Sequence, residues 1–213
     1  MPDFRVRSTE PEWMDGAEVS EAEFAACVTD LAIVNSVTFA RPPTMAFVAE
    51  AVKRAQGRPL TLLDVGFGAG DMLRAIHRFC ARRGAPVRLI GIDLNPRSLS
   101  VARAATPPDM VIDYRIGDLY RLPREEEIDL VVSSLVTHHM QDEEIVRFLR
   151  WMTARARTGW FVNDLHRHHL AYQGFRLLSA AMRWHPFVRH DGPLSVARAF
   201  HREDWERLIA AAG

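Results

Sequence analysis

The sequence has almost no lysine, little cysteine, no surplus of either charge and no long apolar run. Lys53 is its only lysine, so the basic side chains are nearly all arginine. Lys+Arg and Asp+Glu are both 27, a formal net charge of zero. The totals therefore provide no basic field to gather nucleic acid or an anionic membrane. Cys27 and Cys80 are the only cysteines. They are too few and too scattered for a disulfide framework or a Cys-based zinc site, and they fit a reducing, cytoplasmic setting. The longest apolar stretch, Leu130 to Val136, is interrupted by Ser133 and Ser134 and is far too short to span a bilayer. Met1 to Asp15 mixes charges around no apolar core, so it does not read as a signal peptide. The wealth of Arg, Ala and Leu is what GC-rich codons produce, and it points to a bacterial source.

What is present is ordinary globular material: 213 residues, 48% hydrophobic and 25% charged. That length suits one domain with room for decoration, and its core needs no covalent staple. Ser20 to Gln56 reads as helical. Ser20 and Glu23 form a capping box ahead of Phe24, Cys27, Val28 and Leu31 at helical spacing. Arg41-Pro42-Pro43 interrupts the helix, Thr44 restarts it, and Gly57-Arg58-Pro59 reads as a linker. We therefore place an N-terminal helical cap at residues 1–59 and a core at 60–213.

From Leu60 short apolar runs alternate with longer amphipathic ones. Predicted strands cover Leu60 to Val65, Val87 to Ile92, Val111 to Ile116, Ile128 to Val132 and the region of Trp160 to Val162. Helices are expected between them, one opened by Asn95 as N-cap and Pro96. The alternation predicts an α/β fold, a parallel sheet with helices on both faces. Ligands then bind beyond the carboxyl ends of the strands.

At the first such end stands Asp64-Val65-Gly66-Phe67-Gly68-Ala69-Gly70. Glycines there let the backbone turn sharply and approach a ligand. A P-loop would need Gly-Lys-Ser/Thr, but Asp71 and Met72 follow Gly70. A dinucleotide loop would put its last glycine at position 71, where Asp71 stands instead. An acid at that helix start repels a pyrophosphate. The strand-end acid suits a ligand that carries positive charge.

With this loop the chain resembles the class I S-adenosylmethionine-dependent methyltransferases, over roughly Leu60 to Leu165, and Asn163 to Arg167 together with Arg189 to Phe200 resembles a bacterial subgroup near the ubiquinone/menaquinone methyltransferases. Asp64 to Gly70 matches their strand-to-loop motif, with Asp64, Gly66, Phe67, Gly68 and Gly70 facing the cofactor. Asp93 fits the ribose-binding acid, with Leu94 beside it, and Gly117-Asp118-Leu119 fits the adenine end. Asp129 to Met140 matches the run after the fourth strand, which adds Ser134 and Leu135 to the cofactor site. The resemblance implies a Rossmann-like doubly wound sheet of strand order 3-2-1-4-5. It also implies S-adenosylmethionine as cofactor, S-adenosylhomocysteine as product and a final antiparallel hairpin. The last predicted helix, Arg202 to Ala212, ends at Gly213 about where that hairpin would begin.

Methyl transfer from a sulfonium needs a base only when the acceptor must lose a proton, and histidine suits that role. Eight of the nine histidines lie from His138 onward. His166 is the first candidate base and His138 the second. A metal held by Asp164, His166 and His169 is weighed. No metal is expected, because the acid-rich motif of metal-dependent relatives is absent. Leu165 to Phe200 is expected to be a helical lid over the acceptor, closing in a turn at Arg189-His190-Asp191-Gly192-Pro193. Phe39, Arg41, His139, Tyr172 and Phe175 are the candidate acceptor contacts. The expected acceptor is an apolar aromatic, phenolic or polyketide-like small molecule, methylated at oxygen or carbon. No nucleic-acid partner and no membrane span are expected, and the oligomeric state stays open, a homodimer included. Two alternatives remain: an RNA or protein methyltransferase of the same fold, and a non-catalytic cofactor-binding partner subunit.

Overall fold

A computed structural model describes residues 2–16 and 18–213. The chain forms two compact units, both discontinuous in sequence. A sheet unit comprises Asn35–Ser134 and Arg150–Asn163; a helical unit comprises Met1–Val34, Leu135–Leu149 and Asp164–Gly213.

The sheet unit holds five parallel strands in the order β3-β2-β1-β4-β5. They are β1 (Leu60–Val65), β2 (Val87–Asp93), β3 (Asp113–Ile116), β4 (Ile128–Ser134) and β5 (Ala156–Asn163). The strand order implied by the sequence is the one observed. β1 lies in the middle, with β2 and β4 on either side. Central parallel strands are covered on both faces, so their sequences are nearly continuous in Leu, Ile and Val. Leu62, Leu63, Ile90, Val131 and Val132 are fully buried. β3 begins at Asp113 rather than at Val111, whose side chain is exposed. β5 is longer than its apolar centre suggests, because Ala156 already pairs with Ile128 across a register shift. The helices of this unit include α2 (Pro42–Ala55), α3 (Asp71–Ala81) and α4 (Arg97–Ala105). Val48, Ala51, Leu73, Ile76 and Ala102 join the strand residues in one core. Phe47 of α2 stacks on Phe161 of β5, ring centroids 5.3 Å apart.

In the helical unit α1 (Glu21–Val37) begins with the capping box read from the sequence: Glu23 N–H donates to Ser20 Oγ and Ser20 N–H to Glu23 Oε2. The later helices are α6 (His169–Ala181), α7 (Pro186–Arg198) and α8 (Arg202–Ala212), and α5 (Asp142–Arg155) precedes β5. A second core gathers Cys27, Val34, Trp184 and Val188 with Phe175 and Phe187 packed on it.

One sequence expectation is corrected here. Arg189 to Pro193 is not a turn but the interior of α7. Pro186 and the His185 cap start the helix early. Buried Asp191 accepts the N–H groups of Trp13 and Met14 at 2.9 Å each, which anchors the segment. Gly192 serves close approach rather than a bend: a Cβ there would lie 2.0 Å from the Phe175 ring. Among the described residues, no single helix is long and apolar enough to cross a membrane.

Candidate functional site

The loop after β1 is built by its glycines. Gly66, Gly68 and Gly70 adopt φ of 77°, 51° and 73°, where an L side chain is strained. Gly70 has a second constraint, since a Cβ would lie 2.3 Å from the Tyr114 hydroxyl. Gly68 has nothing within 4 Å of where its Cβ would be, and neither has Gly117 at φ 151°. These two backbones therefore face open space that a ligand can fill. Phe67 is buried, 3% exposed, with its ring 4.9 Å from that of Tyr114.

Three strand ends converge on this loop. Gly66 N–H donates to the Ile92 carbonyl, and Gly117 N–H to the Asp93 carbonyl. The Asp93 carboxylate accepts Gly68 N–H and Asn95 N–H, each at 2.9 Å. Asp93 thus also holds the glycine loop in shape, a role the sequence did not reveal. Burial raises its pKa, while the backbone bonds from Asn95 and Gly68 and the Ser98 hydroxyl hold it down. Asp64, 2% exposed at the end of β1, is pushed up to about 8, first by burial and then by the nearby charges of Asp71 and Asp93. The site gathers buried carboxyl groups that resist ionisation, and a cationic ligand would favour their charged form.

The other expected cofactor residues are placed as follows. Asp118 caps a short 3-10 turn by accepting Tyr120 N–H, Leu119 is buried behind it, and Leu94 is exposed beside Asp93. Ser134 exchanges a hydroxyl hydrogen bond of 3.0 Å with Thr44. Leu135 has φ 59°, a left-handed backbone on a non-glycine residue at the end of β4. Arg41 forms an ion pair of 2.9 Å with Asp71, the first residue of α3. Phe39 is exposed.

The histidines of interest belong to the helical unit. His138 lies in a short turn, Thr137–His139, and is buried. Its Nδ1 is 2.7 Å from Asp164 Oδ1, and its backbone N–H donates to Asp164 Oδ2. Thr137 Oγ1 and Leu165 N–H also donate to Asp164. Burial alone would raise the Asp164 pKa; positive charge on His138 and these hydrogen bonds outweigh it and lower the pKa. Asp164 is therefore committed to His138 and does not join His166 and His169. Glu12, 4% exposed, stands on the other side of the pair, with its carboxylate 3.7 Å from His138 Nε2 and 3.8 Å from His139 Nε2. No sequence signal placed Glu12 here, because the contact is long-range. His166 is exposed and bridges to Phe200, with its ring stacked on that of His168. Tyr172 lines an open cavity of about 700 Å³ with Arg176, Arg189 and His190. Phe175 is packed against Trp184 and does not line it.

Comparison with known proteins agrees with this geometry. Residues 62–159 match the profile of a family described as a methyltransferase domain. The ubiquinone biosynthesis O-methyltransferase of Paramagnetospirillum magneticum is 37% identical over 101 residues, which are 47% of this chain and 37% of that protein. The O-antigen chain terminator bifunctional methyltransferase/kinase WbdD of Escherichia coli is 32% identical over 94 residues, 42% of this chain and 12% of that protein. This chain thus spans well under two thirds of the length of these relatives. Among solved structures, the plantazolicin methyltransferase BpumL in complex with S-adenosylhomocysteine superposes with a TM-score of 0.61. It covers 89% of this chain and 74% of its own at 12% identity, a likeness of fold. Residues 62–159 thus match a methyltransferase-domain family, and the strand order and glycine loop agree with that likeness.

Proposed function

We propose that the chain methylates a small apolar aromatic, phenolic or polyketide-like acceptor at oxygen or carbon. The observation that carries the cofactor half of this reading is the open glycine cradle flanked by buried Asp64 and Asp93. The residues fit S-adenosylmethionine, which supplies an activated methyl group on a positively charged sulfur. The backbones at Gly66, Gly68 and Gly117 would lie along it, Asp93 would accept from the ribose hydroxyls, and Asp118 and Leu119 would meet the adenine. Asp64 offers the compensating charge for a cation. Ser134 and Leu135 extend the site at the end of β4.

What the protein itself must do is orient the acceptor and exclude water. Zero net charge and the aromatic content of Leu165 to Phe200 support an apolar acceptor, and the ubiquinone O-methyltransferase relative supports an aromatic oxygen as target. We assign acceptor contacts to Phe39, His139 and Tyr172, with Leu165 to Phe200 as the lid. Where the acceptor must lose a proton, we assign His166, which is exposed, as the first candidate base and His138 as the second. The His138 ring is enclosed between Asp164 and Glu12. Two free, buried cysteines support a reducing cytoplasm, in a bacterial cell.

Calorimetry with S-adenosylhomocysteine tests the cofactor half, and absence of binding would sink it. Methyl transfer from labelled S-adenosylmethionine to a panel of phenols and quinols tests the acceptor half, which fails if no member of the panel is labelled.

A further inference from the structure

Among the described residues, Glu12, His138 and His139 form a group of three possible metal ligands, with one donor atom from each within 4.8 Å of the others. We propose that these three residues bind one divalent transition-metal ion, with zinc the ion whose coordination they fit best. The Glu12 carboxylate faces both imidazoles at 3.7 and 3.8 Å, farther than a hydrogen bond. Donors bound to one tetrahedral zinc at about 2.0–2.1 Å stand roughly 3.3–3.5 Å apart. Side-chain movement of about 1 Å would bring donors that already lie within 4.8 Å of one another to that spacing.

The surroundings are those of a built site. The Glu12 side chain is 2% exposed, and burying a carboxylate is costly without a cation. Ser195 Oγ donates to Glu12 Oε1 at 2.8 Å, which fixes the carboxylate's orientation. His138 is held from behind: its Nδ1 lies 2.7 Å from Asp164 Oδ1, so Nε2 is the nitrogen turned to Glu12. A carboxylate behind the ligating imidazole is the usual support of a histidine ligand, fixing its tautomer and raising its basicity. The loop itself is clamped, since Arg198 donates to the carbonyls of His138 and His139 and Arg7 to that of Met140. Two imidazoles and one carboxylate suit zinc and its first-row neighbours. Calcium and magnesium prefer all-oxygen sites, and Cu(I) prefers sulfur. Three protein donors leave a fourth position for water.

The test is titration of the metal-free 213-residue chain with cobalt(II), followed by its visible absorption, and then displacement by zinc. One cobalt per chain with the intense spectrum of a tetrahedral site, lost on adding zinc, is the expected result. Glu12→Gln and His139→Ala should each weaken uptake at least tenfold. Asp164→Asn should do so by about 10- to 100-fold by removing the support behind His138. Circular dichroism establishes that each variant is folded. His139 is half-exposed, so its variant keeps the test open if Glu12→Gln does not fold. No tetrahedral cobalt spectrum from the wild type, or the same spectrum from folded His139→Ala, would overturn the proposal.

Discussion

Asp64 of the sheet unit and Asp164 of the helical unit are both buried, yet they are displaced in opposite directions. Asp64 is pushed up to about 8, and Asp164 is held below the ordinary carboxylate range. Desolvation acts the same way on both. The difference is in their neighbours. Asp164 faces an imidazole and a set of N–H and O–H donors, whereas Asp64 faces two further acids, Asp71 and Asp93. A buried acid answered within the chain holds the fold together. One left among like charges costs the empty protein stability and gains when a cation arrives.

The largest expected effect falls on the answered acid. Asp164→Ala strands the His138 ring, the Thr137 hydroxyl and two backbone N–H groups in the interior. It should cost about 3–5 kcal/mol, read by chemical denaturation. A loss below 1 kcal/mol would erase the contrast between the two acids.

The unanswered acid should behave in the reverse sense. Asp64→Asn should weaken S-adenosylhomocysteine binding roughly 10- to 100-fold while leaving the chain as stable or more so. The sign follows from linkage. A folded pKa raised above the unfolded one gives stability that is complete in acid and is lost as pH rises toward about 8. The melting-temperature gain of Asp64→Asn should therefore be largest above pH 8. In the wild type, the same displacement predicts that ligand binding at pH 7 releases protons, seen as calorimetric heats that vary with the buffer's ionisation enthalpy. Buffer-independent heats would mean that Asp64 is already ionised in the empty loop.

Asp93→Ala mixes both behaviours, since Asp93 also holds Gly68 and Asn95. It should lose cofactor affinity by a similar factor and lose stability as well, whereas Asp64→Asn loses only affinity. Gly192→Ala probes the helical unit without touching an acid. The added methyl meets the Phe175 ring and should cost about 1–3 kcal/mol despite alanine's better helix propensity. The smallest effect is expected from Arg41→Ala, about 1 kcal/mol for a half-buried pair. It should also move the Asp64 titration upward by leaving Asp71 without its cation. Thermal melts and proton-linked calorimetry measure these two.

The sheet unit was the more legible of the two from sequence. Its strands are short apolar runs, and its loop needs glycine at positions set by backbone geometry, so both leave local marks. The order 3-2-1-4-5 came with the family resemblance. The helical unit left fewer marks. Gly192-Pro193 carries the composition of a turn yet lies within a helix, because anchorage of Asp191 and the seat for Phe175 override local propensity. Glu12 meets His138 only once the fold is made. Arg41, taken as an acceptor contact, pairs with Asp71, and Phe67 spends its ring on the core. In each case the residue type was noticed, or noticeable, and its partner was not.

The discontinuity of the two units has a consequence for synthesis on the ribosome. By Ser134 four of the five strands and the whole glycine loop have been made, so most of the sheet unit can pair while the chain is still growing. The helical unit cannot close until Asp164–Gly213 emerges to meet residues made before the sheet. Contacts that join distant parts of a chain form late and slowly. Met1–Val34 is therefore made well before Asp164–Gly213, the segment it packs with. Cys27 and Val34, buried in the finished protein, are then open to chaperones and to aggregation.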